Sequence, residues 1–214
     1  MTPTALRTAY DKAARSWGAS VARLGYPAAY CALLKAFPTR PGGHVLDTGC
    51  GAGAFSRALV ETMGQPDRLI LMDPSQPMLN SATGALSGAP VSTVCAGIGT
   101  PRIAEASCDA VLCAHVIEHL PDPGAAICWL LERLKPGRPL YLAVSHPHWC
   151  STLLRWKWGH RAFREDEVLA MLHRAGGTRV RSFRFPAGPP SRTSRGYVAF
   201  RSREAPDRLK PQSR

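Results

Sequence analysis

Between residues 44 and 144 short apolar runs alternate with amphipathic stretches. The runs at 44–48, 68–72, 91–95, 109–113 and 139–144 are aliphatic or β-branched and bounded by turn residues, the pattern of strands buried on both faces. Helical spacing falls between them. It covers 54–64, resumes after Asp73-Pro74-Ser75 through about Ala82, and runs from Asp122 to the stop at Lys135-Pro136-Gly137. Asp122 reads as an N-cap and Pro123 as the first helical residue. Upstream, Leu6, Tyr10, Ala13, Ala14 and Trp17 are spaced at three and four, predicting a helix over 4–17 with an aromatic stripe. A second helix is predicted over about 20–37, ending before Pro38 and the Pro41-Gly42-Gly43 turn. Downstream the pattern lapses over 149–163. A helix over 165–175 then closes at Gly176-Gly177, and strands near 178–185 and 196–201 flank a Pro/Gly/Ser-rich loop. Repeated strand–helix units predict an α/β fold, a parallel sheet with helices on both faces.

Composition changes this picture little. A chain of 214 residues buries one good-sized core, and 45% hydrophobic with 20% charged residues is ordinary for a globular protein. No apolar run approaches the ~20 residues of a membrane span, and the N-terminus lacks the apolar core of a secretory signal. The seven cysteines, at 31, 50, 95, 108, 113, 128 and 150, form no CxxC pair and no metal-like spacing. Most sit among apolar residues, so buried thiols in a reducing, cytoplasmic setting are expected, with no metal site. Charge is the unusual quantity. Of the net +12, most lies after residue 150, where 15 Lys and Arg face 5 Asp and Glu. Such a surface suits nucleic acid, an anionic membrane or an acidic substrate, or is simply an Arg-rich solvated face.

Candidate chemistry centres on residues 44–53, where an apolar strand meets Asp47 and then glycines at 49, 51 and 53 before a helix. Such a turn lets a ligand lie against backbone at a helix N-terminus. Gly49, Gly51 and Ala54 also satisfy the dinucleotide fingerprint, with Asp73 placed as its ribose-binding acid. Asp47 weighs against that alternative: a pyrophosphate gains nothing from an acid there, whereas a cationic amino-acid group does. Ligands of open parallel sheets sit at the strands' carboxyl ends. Those ends carry Asp47 with its glycines, Asp73, the 96–99 loop, His115, and His146 with His148.

Several blocks together carry a family resemblance. They are Tyr10-Asp11 with Trp17, Val45-Leu46-Asp47-Thr48-Gly49-Cys50-Gly51-Ala52-Gly53, Met72-Asp73-Pro74-Ser75 with Met78-Leu79, Cys108-Asp109-Ala110-Val111, Val116-Ile117-Glu118-His119-Leu120 and Leu134-Lys135-Pro136-Gly137. Through them the chain resembles the class I S-adenosylmethionine-dependent methyltransferases, particularly the group related to the ubiquinone-biosynthesis C-methyltransferases. The likeness runs from about residue 8 to 145 and resumes weakly over 163–176. It implies a Rossmann-like, seven-stranded, mostly parallel sheet with an antiparallel last strand, and S-adenosylmethionine as cofactor. Asp47, Gly49, Gly51 and Gly53 would cradle the methionine part, Asp73 would take the ribose hydroxyls, and Met78 would lie beside the adenine. Tyr10 and Trp17 would form a lid, their aromatic faces favourable beside a sulfonium. The chain departs from the family at Ala96-Gly97-Ile98-Gly99, which lacks the usual adenine-binding acid, so backbone at Gly97 and Ile98 would hold the base.

On this reading residues 1–203 form one domain: a helical lid (1–38), a cofactor-binding core (39–145), an acceptor-site insertion (146–164) and a closing helix with strands (165–203). The polar tail 204–214 is expected to be disordered. Methyl transfer from a sulfonium needs a base only when the acceptor must lose a proton. His115, His146 and His148 are the candidates, because imidazole titrates near neutrality. Glu118 and His119 read as structural, Tyr141 as core, and Cys50 as a small buried residue. In the insertion, Trp149, Trp156 and Trp158 alternate with Arg155, Lys157 and Arg161. Trp149, Trp156 and Arg161 are the expected acceptor contacts, and Arg192 and Arg195 would extend a basic rim. A small or lipid-like acceptor, anionic in some cases, is favoured, with peripheral membrane contact as a further possibility. The alternatives are an RNA or protein methyltransferase and a catalytically weak cofactor-binding scaffold. A nucleic-acid partner is not expected, since the chain shows no RNA-binding module, and the oligomeric state stays open.

Overall fold

A computed structural model describes residues 17–39, 42–148 and 161–203. Seven strands form one sheet: β1 His44–Thr48, β2 Arg68–Asp73, β3 Val91–Cys95, β4 Ala110–Ala114, β5 Pro139–Ser145, β6 Gly177–Phe183 and β7 Ser194–Arg201. Their order is β3-β2-β1-β4-β5-β7-β6. The first five strands pair in parallel, whereas β7 runs antiparallel to both β5 and β6. This is the sheet that the resemblance implies. The chain moves outward from β1 to β3, then returns to the other side of β1 with β4. The order therefore reverses between β1 and β4, where the loops leaving two adjacent strands part and open a crevice.

Strand periodicity divides the core between two faces. Leu46 and Val111 pack on one side with the helices Pro123–Arg133 and Glu165–Arg174; Val45 and Leu112 pack on the other with Tyr26–Ala36 and Ala54–Met63. All four side chains are fully buried, each contributing roughly 1.5–3 kcal/mol. Helix starts follow their caps: Asp122 Oδ1 accepts the Ala125 amide at 2.9 Å, and Ser75 Oγ accepts that of Met78 at 3.3 Å. Tyr141 lies in the core as expected, its hydroxyl donating to the Phe37 carbonyl at 2.6 Å.

Three expectations need correction. The predicted 20–37 helix is two helices, one ending at residue 23 and one at Tyr26–Ala36. Gly25 turns left-handed between them (φ 86°), and Pro27, without an N–H, could not have continued the first helix's hydrogen bonding. The loop before β7 contains a short helix, Pro190–Thr193, so β7 begins at Ser194 and includes Arg195. Arg195 is accordingly buried in the sheet and is not on a basic rim, while Arg192 is exposed. Of the cysteines, Cys50, Cys108 and Cys113 are buried, but Cys31 and Cys128 are half-buried and Cys95 is exposed. Tyr10, Trp149, Trp156 and the tail 204–214 lie outside the described residues. Among the described residues no helix is long and apolar enough to cross a membrane, and no group of three metal-ligating side chains occurs.

Candidate active site

The crevice floor is the turn after β1. Gly49 and Cys50 both donate their amides to the Met72 carbonyl, at 2.7 and 3.1 Å, binding the turn to the end of β2. Gly49, Gly51 and Gly53 have φ values of 64°, 51° and 80°, a region closed to most side chains. A Cβ on Gly49 would stand 2.3 Å from Val116 Cγ2, so the loop after β4 rests directly on this glycine. A Cβ on Gly53 would come 3.2 Å from Ala82 Cβ, in the helix Gln76–Ala85. Gly51 is covered differently: the position of its absent Cβ is 3.4 Å from the indole Nε1 of Trp17.

Two carboxylates organise this turn. Asp73 Oδ2 accepts the Gly51 amide at 3.0 Å and Oδ1 accepts the Ser75 amide at 2.9 Å. Asp47, 1% exposed, accepts both the amide (3.1 Å) and the hydroxyl (2.6 Å) of Ser56 through Oδ2. Burial pushes its carboxyl up from 3.8 to about 7, the Ser56 hydrogen bonds opposing and the neighbouring Asp73 adding to the rise. The helix Ala54–Met63 starts at Gly53, which has no side chain to cap it, and Asp47 takes the Ser56 amide of its first turn; the positive end of the helix dipole faces the same turn. A backbone cradle, a helix N-terminus and an acid on either side suit a zwitterionic amino acid joined to a ribose. S-adenosylmethionine has that form, and these residues fit it.

The crevice wall is the loop after β4. His115 adopts φ 56°, rare for a residue with a side chain. Its amide donates to the Ala143 carbonyl of β5 at 2.9 Å. The imidazole Nδ1 lies 3.2 Å from Glu118 Oε1 and 3.1 Å from Ser145 Oγ, and the Tyr26 ring meets it edge-on with centroids 5.0 Å apart. Glu118 is 2% exposed. Burial alone would raise its carboxyl, but the His115 contact and the Ser145 amide, donating to Oε1 at 2.6 Å, hold it below the usual carboxylate value. His115 Nε2 and Glu118 Oε2 are buried, with no hydrogen-bond partner among the described residues.

The structure thus brings Asp47, Gly49, Gly51, Gly53, Asp73, Trp17 and His115 to one crevice. Met78 is buried in the first turn of its helix, and Gly97 and Ile98 lie on the loop after β3, Gly97 exposed and Ile98 half-buried. His146 and His148 follow β5. The His146 amide donates to Thr193 at 2.7 Å, and burial, reinforced by the charge of Arg195, lowers the basicity of its imidazole. Arg161 is exposed, its guanidinium engaged by the Leu120 and Pro121 carbonyls and over the Phe163 ring. Glu118, Ser145 and Tyr26 were missing from the candidate set. For Glu118 a signal existed, its place three residues after His115, the spacing at which the two side chains meet here. Ser145 and Tyr26 reach the site only through strand pairing and helix packing.

Comparison with known proteins agrees with this geometry. Residues 46–142 match the family model described as a methyltransferase domain. A Streptomyces fradiae protein, an uncharacterized 37.1 kDa product of transposon TN4556, is 32% identical over 56% of this chain and 34% of its own length. The ubiquinone biosynthesis O-methyltransferase of Idiomarina loihiensis is 34% identical over 53% of this chain and 46% of its own. The chain thus spans a third to a half of the curated relatives it matches. Among solved structures, a chain of the complex between the Haloferax volcanii Trm112 methyltransferase activator and a methyltransferase superposes with a TM-score of 0.74 at 20% identity, covering 90% of this chain and 97% of that one. The Burkholderia thailandensis 1,6-didemethyltoxoflavin-N1-methyltransferase gives 0.72 at 21% identity, covering 92% and 87%. Sheet order, glycine turn and domain match agree: residues 46–142 match a methyltransferase domain, on a fold that S-adenosylmethionine-dependent methyltransferases share.

Proposed function

We propose that the protein transfers a methyl group from S-adenosylmethionine to a small or lipid-like metabolite, with a histidine assisting at the acceptor. The observation that carries this reading is the Gly51–Asp73 hydrogen bond of 3.0 Å, which joins a side-chain-free turn and a carboxylate at the reversal of strand order. Gly49, Gly51, Gly53 and Asp47 would hold the amino-acid end, Asp73 the ribose, and backbone at Gly97 and Ile98 the base, with Trp17 and Tyr10 closing over them. When bound, the cofactor supplies an electrophilic methyl group on a sulfonium.

The protein's own contribution is chiefly to hold acceptor and methyl in line, which converts an encounter in solution into a unimolecular displacement. His115, His146 and His148 stand at or just beyond the carboxyl ends of β4 and β5, and one of them would meet an acceptor over the crevice. Trp149, Trp156 and Arg161 would supply contacts to an apolar or anionic acceptor. That curated relatives include ubiquinone biosynthesis O-methyltransferases supports an acceptor of metabolite size. The test is incubation of the full chain with methyl-labelled S-adenosylmethionine and a metabolite extract divided into small-molecule, lipid and RNA fractions. Label is expected in the small-molecule or lipid fraction; label confined to RNA overturns the acceptor assignment.

A further inference from the structure

We propose that Glu118 is a positioning residue that holds the His115 imidazole with its proton on Nδ1, leaving Nε2 as the base for an acceptor hydroxyl. This rests on the methyl-transfer reading above and narrows its acceptor to a group that must lose a proton.

An ionised carboxylate offers only acceptors. The contact of 3.2 Å between Glu118 Oε1 and His115 Nδ1 is therefore favourable only with hydrogen on Nδ1. Glu118 is itself fixed, because its Oε1 takes the Ser145 amide at 2.6 Å from the neighbouring strand. In the neutral ring Nε2 then carries the lone pair, and it is buried with no hydrogen-bond partner among the described residues. A buried acceptor left unsatisfied is costly, as is a φ of 56° at a histidine. Both costs fall on one residue at the strand-order reversal, the pattern of a group kept for function. Among the described residues His146 has no such carboxylate partner: its Nδ1 is buried without a hydrogen bond, and the nearby acid Glu165 lies 3.7 Å from Arg195.

Around the imidazole the titratable groups are Glu118 and, from the helix Tyr26–Ala36, Tyr26. Tyr30, Cys113 and Asp47 are buried in the core. Tyr30 and Cys113 are pushed up chiefly by burial and further by the charges of Glu118 and Asp47, so they stay neutral and do not compete as bases. In the step itself Nε2 takes the hydroxyl proton. The acceptor oxygen's electron pair forms the new O–C bond, the methyl carbon's bond to sulfur breaks with its pair remaining on sulfur, and Nε2 gives up the proton to water that enters as the product leaves. Thioethers and tertiary amines have no proton to lose and would draw no benefit from this base.

The test combines a spectrum with an assay. Imidazole 15N NMR of the full cofactor-free chain, assigned with His115→Gln, is expected to show a protonated Nδ1 and a bare Nε2. In Glu118→Gln the single tautomer should become a mixture. Label from the fractionated extract should enter O-methyl products, and Glu118→Gln should lower that labelling roughly a hundredfold while S-adenosylhomocysteine affinity stays within about twofold of the parent. Hydrogen on Nε2 in the parent, or a Glu118→Gln protein with parental labelling, overturns the proposal. The parent spectrum needs no variant to fold. If S-adenosylhomocysteine does not bind and no fraction takes label, the methyl-transfer reading fails, while the spectrum still decides the role of Glu118.

Discussion

Gly51 donates its amide to the Asp73 carboxylate at 3.0 Å, and Ser75 donates to the same carboxylate at 2.9 Å. The loops after β1 and β2 are therefore one unit, and the acid expected to meet the ribose also sets the shape of the cradle beside it. Replacing Asp73 by Ala leaves two amides without acceptors. We expect a loss of about 1–3 kcal/mol in stability together with at least a roughly tenfold loss of S-adenosylhomocysteine affinity, read by urea unfolding and calorimetry. Asp73→Asn keeps one acceptor oxygen and should fall between.

The contact between Gly49 and Val116 makes a steric prediction. A methyl on Gly49 would overlap Val116 Cγ2 at 2.3 Å on a backbone at φ 64°. Gly49→Ala should cost about 1–3 kcal/mol from overpacking with further backbone strain. Val116→Ala in the same chain should restore the steric part only, giving a coupling of roughly 0.5–3 kcal/mol. Unfolding midpoints of the four proteins check this.

Asp47 predicts a pH dependence whose sign follows from its raised carboxyl. Folding lifts it from 3.8 to about 7, so the folded chain binds a proton that the unfolded chain has released over that interval. Its contribution to stability is fully present below about 4 and is lost as pH rises through about 7. Asp47→Asn can still accept both Ser56 hydrogen bonds and should flatten that slope in unfolding curves from pH 4 to 8. A cationic ligand group beside Asp47 favours the carboxylate, so ligand binding near pH 7 should release protons. Calorimetry in two buffers of different ionisation enthalpy should detect this in the parent and not in Asp47→Asn.

The Tyr141 hydroxyl, 2.6 Å from the Phe37 carbonyl, ties β5 to the end of the helix Tyr26–Ala36 far from the crevice. Tyr141→Phe should lose about 0.5–1.5 kcal/mol with S-adenosylhomocysteine affinity unchanged. Thermal unfolding with and without the ligand separates the two effects.

What the chain disclosed in advance was local. The strand at His44–Thr48, the glycine turn and the Asp122 cap are each specified by neighbouring residues, and each stands where periodicity and caps put it. The break at Gly25 was also local, but the apolar spacing on either side masked it, and the backbone chose the left-handed glycine. Arg195 was misplaced because β7 starts at Ser194, fixed by pairing with Ser145 of β5 and by no signal in the loop itself. The His115–Glu118 pair shows both limits: its spacing was visible, but the Ser145 amide that fixes the carboxylate comes from a strand 27 residues on. Side-chain partners across strands depend on register, which one sequence does not print.

Calorimetry of the full chain with S-adenosylhomocysteine and, separately, with NADH tests the central claim most directly. The account predicts one-to-one binding of S-adenosylhomocysteine, weakened by Asp73→Ala, and no binding of NADH. Binding of NADH without S-adenosylhomocysteine would contradict it.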